Sequence, residues 1–304
     1  MKPKIIFFSA GEIALPCLNY LLRNTAVELV GIVTQPERPK GRGQKVSLNP
    51  IAQWAERNHI PYCQAEKMDD SVLDWLKEKQ PDLGLTMAFG HFLKSVFLEL
   101  PPLGMWNFHT SLLPKYRGAS PIASCLLDGA NETGVSLMAM VAKLDAGPWI
   151  AQEKVEITND ETSSTLTSKL AQASAHVLET TLPSLIDKTY ILHEQNEAEV
   201  TFTYKFNKAD GLLDFSKPAI VLERQIRAFQ PWPSSYFFIN EQRYIVHKAH
   251  VEASQKGEIG TLHVDRTNGT FAIQTTEGLL VFDVIQKAGG KALTTKEFLR
   301  GTQF

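Results

Sequence analysis

Short, unbroken apolar runs alternate with helix-patterned segments through the first 187 residues, and few architectures accommodate that alternation. Residues 4–9 (KIIFFS), 27–34 (VELVGIVT) and 82–88 (DLGLTMA) are the kind of run shown by strands buried on both faces of a parallel sheet. The spacing of apolar residues predicts helices between them, over 12–23, 50–58 and 71–79. The first strand–helix–strand unit spans about 30 residues, the minimum for a parallel crossover. Its first turn holds one glycine, Gly11, so the GxGxxG fingerprint is missing, which argues against a nicotinamide site.

The alternation continues with a short strand at 60–63, a helix at 93–98, a strand opening the stretch 104–121, a helix at 121–128 and a strand at 134–141. Residues 149–157 are expected to double back antiparallel, because Gly147-Pro148 leaves too little chain for a crossover. A long helix over 161–186 has Leu166, Leu170, Ala173, Val177 and Leu182 on one face. From 187 to 210 the chain is polar and weakly patterned. Beyond it come a helix at 219–229 and short strands at 236–239, 244–250, 260–264, 270–275 and 279–285. Closely spaced strands of this kind suggest a small barrel, a type that often binds nucleic acid or sugar. The expected fold is α/β: a Rossmann-like, mostly parallel twisted sheet (1–187), a linker (188–209) and a C-terminal OB-like antiparallel β-barrel (210–304).

Net formal charge is −2, so only local basic clusters could meet a polyanion. No apolar run approaches the ~18 residues of a membrane span, and the four apolar residues after Lys4 are too few for a secretion signal. Cys17, Cys63 and Cys125 lie far apart, with no CxxC pair or neighbouring histidines. That argues for a reducing compartment and against disulfides or structural zinc. The expectation is a cytoplasmic protein, monomeric, without membrane contact or metal.

Residues 104–121 (GMWNFHTSLLPKYRGASP) read as a strand that releases polar residues into a turn and a basic, glycine-containing run. Open α/β sheets keep their ligands at such strand ends. Residues two apart in a strand share a face, so Asn107 and His109 project together. Gly147 and Pro148 end the neighbouring strand, which is expected to put Asp145 on the same rim. An amide, an imidazole and a carboxylate meeting there suit acyl transfer between amines. The amide can donate to a tetrahedral oxyanion, the imidazole can take a proton from the amine, and the carboxylate can orient the imidazole. Spacing alone leaves two alternatives open: His109 and Asn107 satisfying a strand end, and Asp145 serving the turn.

NFHTSLLPKYRGASPI, followed by KLDAGP, closely resembles the signature of the 10-formyltetrahydrofolate-dependent formyltransferases. TQPERPKGRGQK (34–45), MAFG (87–90), FNKADGLLDFSKPA (206–219) and IRAFQPWPS (226–234) match as well, so the resemblance runs nearly the length of the chain. It implies the formyltransferase fold, with 10-formyltetrahydrofolate as formyl donor and Asn107, His109 and Asp145 as the catalytic trio. It further implies a folate-binding turn at Ser111, Leu112, Leu113 and Pro114, and a pterin pocket near Met87, Ala88, Phe89 and Gly90. The implied acceptor is the α-amino group of methionine on initiator tRNA, in support of translation initiation.

Arg38, Lys40, Arg42 and Lys45 alternate with Pro and Gly on a stretch too irregular for a helix and too basic for a core. Unstructured stretches of that length inside a domain are often functional, and clustered cations can neutralise phosphates. By itself the loop reads as a solvated basic surface; the resemblance implies contact with the tRNA acceptor stem, Arg42 foremost. Lys208, Arg224, Arg227, Lys248, Lys287 and Lys291 suggest an outer tRNA platform. Two positions depart from the family pattern: the first turn reads Ser9-Ala10-Gly11-Glu12, without the usual Thr-Pro, and His91 replaces an apolar residue. His91 reads as exposed or helix-capping. Relatives with the same trio use amino sugars or water as acceptor, but do not usually carry the basic loop.

Overall fold

A computed structural model describes residues 1–37, 49–253 and 257–301, and its contacts divide the chain into two units. The first comprises Met1–Pro121, Glu132–Glu156 and Thr167–Thr203; the second comprises Ile122–Asn131, Ile157–Leu166 and Tyr204–Phe304. Among the described residues, no helix is long and apolar enough to cross a membrane.

The apolar runs become strands. β1 (Lys4–Phe8) leads through α1 (Leu15–Arg23) to β2 (Glu28–Thr34). Then come α2 (Pro50–Arg57), β3 (Tyr62–Gln64), α3 (Asp70–Lys79) and β4 (Leu83–Thr86). The side chains of Asn49 and Asp69 cap α2 and α3, each accepting two first-turn N–H groups that the helix itself leaves unpaired. A short α4 (Ser95–Leu98) precedes β5 (Met105–His109), β6 (Arg117–Gly118) and α5 (Pro121–Leu127). The remaining elements up to residue 203 are β7 (Glu132–Ala139), β8 (Trp149–Glu156), the long α6 (Ser163–Asp187) and β9 (Phe202–Thr203).

Seven strands form one sheet in the order β3-β2-β1-β4-β5-β7-β8. The first five are parallel, while β7 is antiparallel to both β5 and β8. The hairpin expected from Gly147-Pro148 is present. The chain winds from β1 to one side for β2 and β3, then returns to the other side for β4, so the β1/β4 boundary is the topological switch point. The segments leaving β1 and β4 run together there, with the Ala10 N–H donating to the Ala88 carbonyl at 3.3 Å. One face of the sheet presents Ile6, Phe8, Val33 and Met105 to Val72, Leu73 and Leu76 of α3. Each large side chain buried this way contributes roughly 1.5–3 kcal/mol relative to exposure.

The polar stretch after Asp187 carries structure that its sequence does not announce. Trp149 and His193 exchange backbone hydrogen bonds of 3.0 and 2.8 Å, and their rings stack 4.3 Å apart. Further on, β9 pairs in parallel with β6.

In the second unit, α7 (Ala219–Ala228) precedes β10 (Ser235–Ile239), β11 (Gln242–Glu252), β12 (Leu262–Asp265), β13 (Thr270–Gln274) and β14 (Leu279–Lys287). A further strand, β15 (Ala292–Thr294), and a helix, α8 (Thr295–Gly301), go beyond the sequence reading. The sheet is antiparallel in the order β10-β11-β14-β13-β12, with β15 on β14. No ladder joins β10 to β12 among the described residues. Phe237 stacks on Phe282 at 5.0 Å over a core shared with Leu222 and Ile226 of α7. Arg227, expected on an outer platform, is instead committed within the unit: it donates to the Glu223 carboxylate at 2.6 and 3.0 Å and to the Glu161 carbonyl at 2.9 Å.

Candidate active site

Strand β5 aligns the first two site residues. Asn107 pairs with Thr86 of β4 and Met138 of β7, and His109 pairs with Ser136 of β7, so both side chains leave the same face. His109 is 5 % exposed. Asn107 is half-buried, and its amide makes no hydrogen bond to the described residues, which leaves its donors available to a ligand. The His109 Nε2 lies 2.8 Å from the Tyr116 carbonyl oxygen. A carbonyl only accepts, so Nε2 carries the proton and Nδ1 is the basic nitrogen of the neutral ring. Nδ1 lies 3.7 Å from Asp145 Oδ2, and that oxygen accepts the Gly118 N–H at 2.8 Å.

Asp145 reaches His109 by a different route from the one its sequence suggests. Because β7 is antiparallel to β5, its end at Ala139 lies beside Trp106, three residues and roughly 10 Å from His109. The shared-rim expectation therefore gives the right neighbour for the wrong reason. The loop after β7 folds back over the face that carries Asn107 and His109. Asp145 itself has a left-handed backbone at φ +48°, a region more accessible to Asp than to most residues. Gly147 is required by close approach: a Cβ there would sit 1.8 Å from the Ala139 carbonyl oxygen.

The turn Ser111-Leu112-Leu113-Pro114 is held from below by fully buried Ser136. Its hydroxyl donates to the Ser111 carbonyl at 2.7 Å and accepts from the Leu113 N–H at 3.0 Å and the Gln152 amide at 2.9 Å. Gln152 also donates to the Leu113 carbonyl at 2.8 Å. Replacing Ser136 with alanine leaves the buried Ser111 carbonyl and Leu113 N–H short of a partner and removes one of the two hydrogen bonds of the half-buried Gln152 amide. The expected cost is roughly 2–3 kcal/mol, read from urea unfolding; an unchanged midpoint would mean that the turn is held by other contacts.

Arg117 belongs to the basic run after the turn, yet it is fully buried. Its Nε donates to Gln195 Oε1 at 2.9 Å and its Nη2 to Glu197 Oε1 at 2.8 Å, while Nη1 has no hydrogen-bond partner among the described residues. Hydrogen bonds from Arg117 and then Lys143 hold the Glu197 carboxyl below the usual carboxylate range. Thr201 accepts the Tyr116 N–H through its hydroxyl at 2.8 Å and the Arg117 N–H through its carbonyl at 2.9 Å.

Met87, Ala88, Phe89 and Gly90 leave β4 at the switch point. Met87 and Phe89 are buried, and Phe89 packs edge-on against Phe8 at 5.5 Å. His91 is neither exposed nor a helix cap: it is half-buried beside the Phe89 ring at 5.1 Å, and its Nε2 has no partner among the described residues. Arg38, Lys40, Arg42 and Lys45 lie outside the described residues. Among the described residues, no three His, Cys, Asp or Glu side chains gather as a metal site.

The structure thus brings Asn107, His109 and Asp145 together and adds Ser136, Gln152, Gln195, Glu197 and Thr201, which sequence reasoning missed. The last three lie 78 to 85 positions from their partners, and no local pattern marks them.

A family model described as formyl transferase matches residues 3–182, and one described as formyl transferase, C-terminal domain, matches residues 205–303. The chain belongs to the formyl transferase family. Its similarity to proteins named methionyl-tRNA formyltransferase runs end to end. The one from Roseiflexus castenholzii is 36% identical, covering 100% of this chain and 97% of that protein. The one from Staphylococcus epidermidis is also 36% identical, covering 99% and 96%. A solved structure, the N-formyltransferase from Helicobacter canadensis in complex with folinic acid and dTDP-3-aminofucose, aligns with a TM-score of 0.69. It covers 94% of this chain and all of that one at 21% identity, which is a likeness of fold.

Proposed function

We propose that this chain transfers the formyl group of 10-formyltetrahydrofolate to the α-amino group of methionine on initiator tRNA. The acceptor rests on the whole-length similarity to proteins named for that reaction. The chemistry rests on the His109–Asp145 pair and on an Asn107 amide, on the same face of β5 as His109, that makes no hydrogen bond among the described residues. The amine nitrogen bonds to the formyl carbon, the bond from that carbon to N10 of the folate breaks, and the proton lost by the amine ends on N10. Tetrahydrofolate and formylmethionyl-tRNA are the products.

In this reading the Asn107 amide donates to the oxyanion of the tetrahedral intermediate. Nε2 of His109 is committed to Tyr116, so the amine proton passes by way of Nδ1, where the Asp145 carboxylate stabilises the charge that develops on the ring. The turn from Ser111 to Pro114 and the residues Met87 to Gly90 hold the folate. The contacts of Arg38, Lys40, Arg42 and Lys45 with the tRNA acceptor stem are inferred from sequence alone. We read the working form as a cytoplasmic monomer that needs no metal.

An amino-sugar acceptor is the second reading, favoured by the fold likeness to the Helicobacter canadensis enzyme. Incubation with 10-formyltetrahydrofolate and methionyl initiator tRNA is expected to give formylmethionyl-tRNA. Unmodified tRNA together with formylation of a nucleotide-linked amino sugar would overturn the proposal in favour of the second reading.

A further inference from the structure

The Asp145 loop joins β7 to β8, and those strand ends lie at the far end of β5 from His109. A side chain from the polar stretch after α6 ties the loop at two points. Gln195 Nε2 donates to the Asp145 carbonyl at 2.9 Å and to the Gly147 carbonyl at 2.7 Å, while its Oε1 accepts from Arg117 Nε at 2.9 Å. Arg117 adjoins Gly118, whose N–H holds the Asp145 carboxylate at 2.8 Å. A closed ring of contacts results: carboxylate to Gly118, Gly118 to Arg117 along the chain, Arg117 to Gln195, and Gln195 back to the Asp145 backbone. The far side is anchored as well, since Glu197 takes Arg117 Nη2 and Lys143, the latter on the loop itself.

We propose that Gln195 is a positioning residue for formyl transfer, fixing the Asp145 carboxylate against His109. The proposal rests on the reading that His109 and Asp145 act on the reacting groups. A tie that served stability alone could end anywhere on the loop. Besides the Gly147 carbonyl, this one ends on the carbonyl of Asp145 and on Arg117, the neighbour of the residue whose N–H the Asp145 carboxylate accepts, so it grips the carboxylate's own residue from both sides.

Gln195→Glu separates the functions of the side chain. The carboxylate still accepts from Arg117 but loses both donors and turns negative charge toward two carbonyl oxygens. The expected result is a ~100-fold fall in kcat with KM for both substrates within about twofold, as for a misplaced but still bound reacting pair. In an Asp145→Asn background the same change is expected to cost no more than about threefold, because its effect acts through Asp145. The His109 imidazole nitrogen resonances should move in Gln195→Glu in the direction they move in Asp145→Asn, a readout that needs no residual activity. Gln195→Met, which removes the donors without adding charge, should move them likewise. Equal losses of kcat in both backgrounds, a rise in KM alone, or unmoved His109 resonances would overturn the role. If Asp145→Asn itself were as active as the wild type, the underlying functional reading would fall, and the role of Gln195 with it.

Discussion

His109→Ala is expected to lower kcat for formyl transfer by about 10³-fold or more, within the range that general acid–base groups supply. The loss follows from geometry. His109 is the imidazole on the Asn107 face of β5, its Nε2 is tied to Tyr116, and its Nδ1 faces Asp145. Removing the ring takes away the proposed proton acceptor and leaves the Asp145 carboxylate without its partner. Binding of methionyl-tRNA is expected to stay within about threefold of the wild type, because a side chain this buried offers little contact surface and phosphate contacts dominate affinity for nucleic acid. Single-turnover formylation and filter binding, run side by side, separate the two quantities. Near-normal turnover would remove His109 from the reaction, and lost tRNA binding would make it a structural residue.

Gly118→Ala should be the second severe change, although glycine-to-alanine is chemically slight. Gly118 has φ +117°, and a Cβ there would lie 2.4 Å from the Thr203 carbonyl oxygen and 2.9 Å from its hydroxyl. Backbone strain and overpacking together are expected to cost roughly 2–4 kcal/mol of stability. Relief of the clash requires β6 and β9 to separate, which moves the N–H that holds Asp145 Oδ2. A fall of about 100-fold in kcat/KM should accompany the stability loss, as expected for a shift of about 1 Å in a reacting group. Urea unfolding and steady-state kinetics on the same preparation test both parts. Unchanged values of both would mean that the β6–β9 contact yields without disturbing Asp145.

How far these features could be read in advance depended on whether local pattern recorded them. The runs at β1, β2 and β4 are apolar because both faces of the sheet are covered, so a single stretch reveals its environment. Asn107 and His109 were legible for a similar reason, since strand periodicity fixes which residues share a face. Strand direction was not legible: nothing local shows β7 running antiparallel to β5, and so the rim proposed for Asp145 was the wrong one. Burial of Arg117 was not legible in the basic run that carries it, because its partners Gln195 and Glu197 lie 78 and 80 positions away. The stretch after Asp187 reads as a linker because hydrogen bonds from polar side chains, unlike buried apolar faces, impose no period on the chain. His91 failed both expectations, packing beside Phe89 instead of capping a helix.

The loop that carries Asp145 and the segment that carries Gln195 are separated in the chain by β8 and α6, yet they close one ring of contacts. The chain also crosses between its two units five times, at 121/122, 131/132, 156/157, 166/167 and 203/204. The family models divide the same chain into two consecutive blocks, ending at 182 and beginning at 205. A graft or fusion made at the end of the first block would discard Gln195, Glu197 and Thr201 while keeping every residue of the signature. Such a chimera would look intact by motif and lack the tie from Gln195 to the Asp145 and Gly147 carbonyls. The smallest inheritable piece that retains the site runs through Thr203, and even that piece keeps two segments, Ile122–Asn131 and Ile157–Leu166, that fold with the other unit.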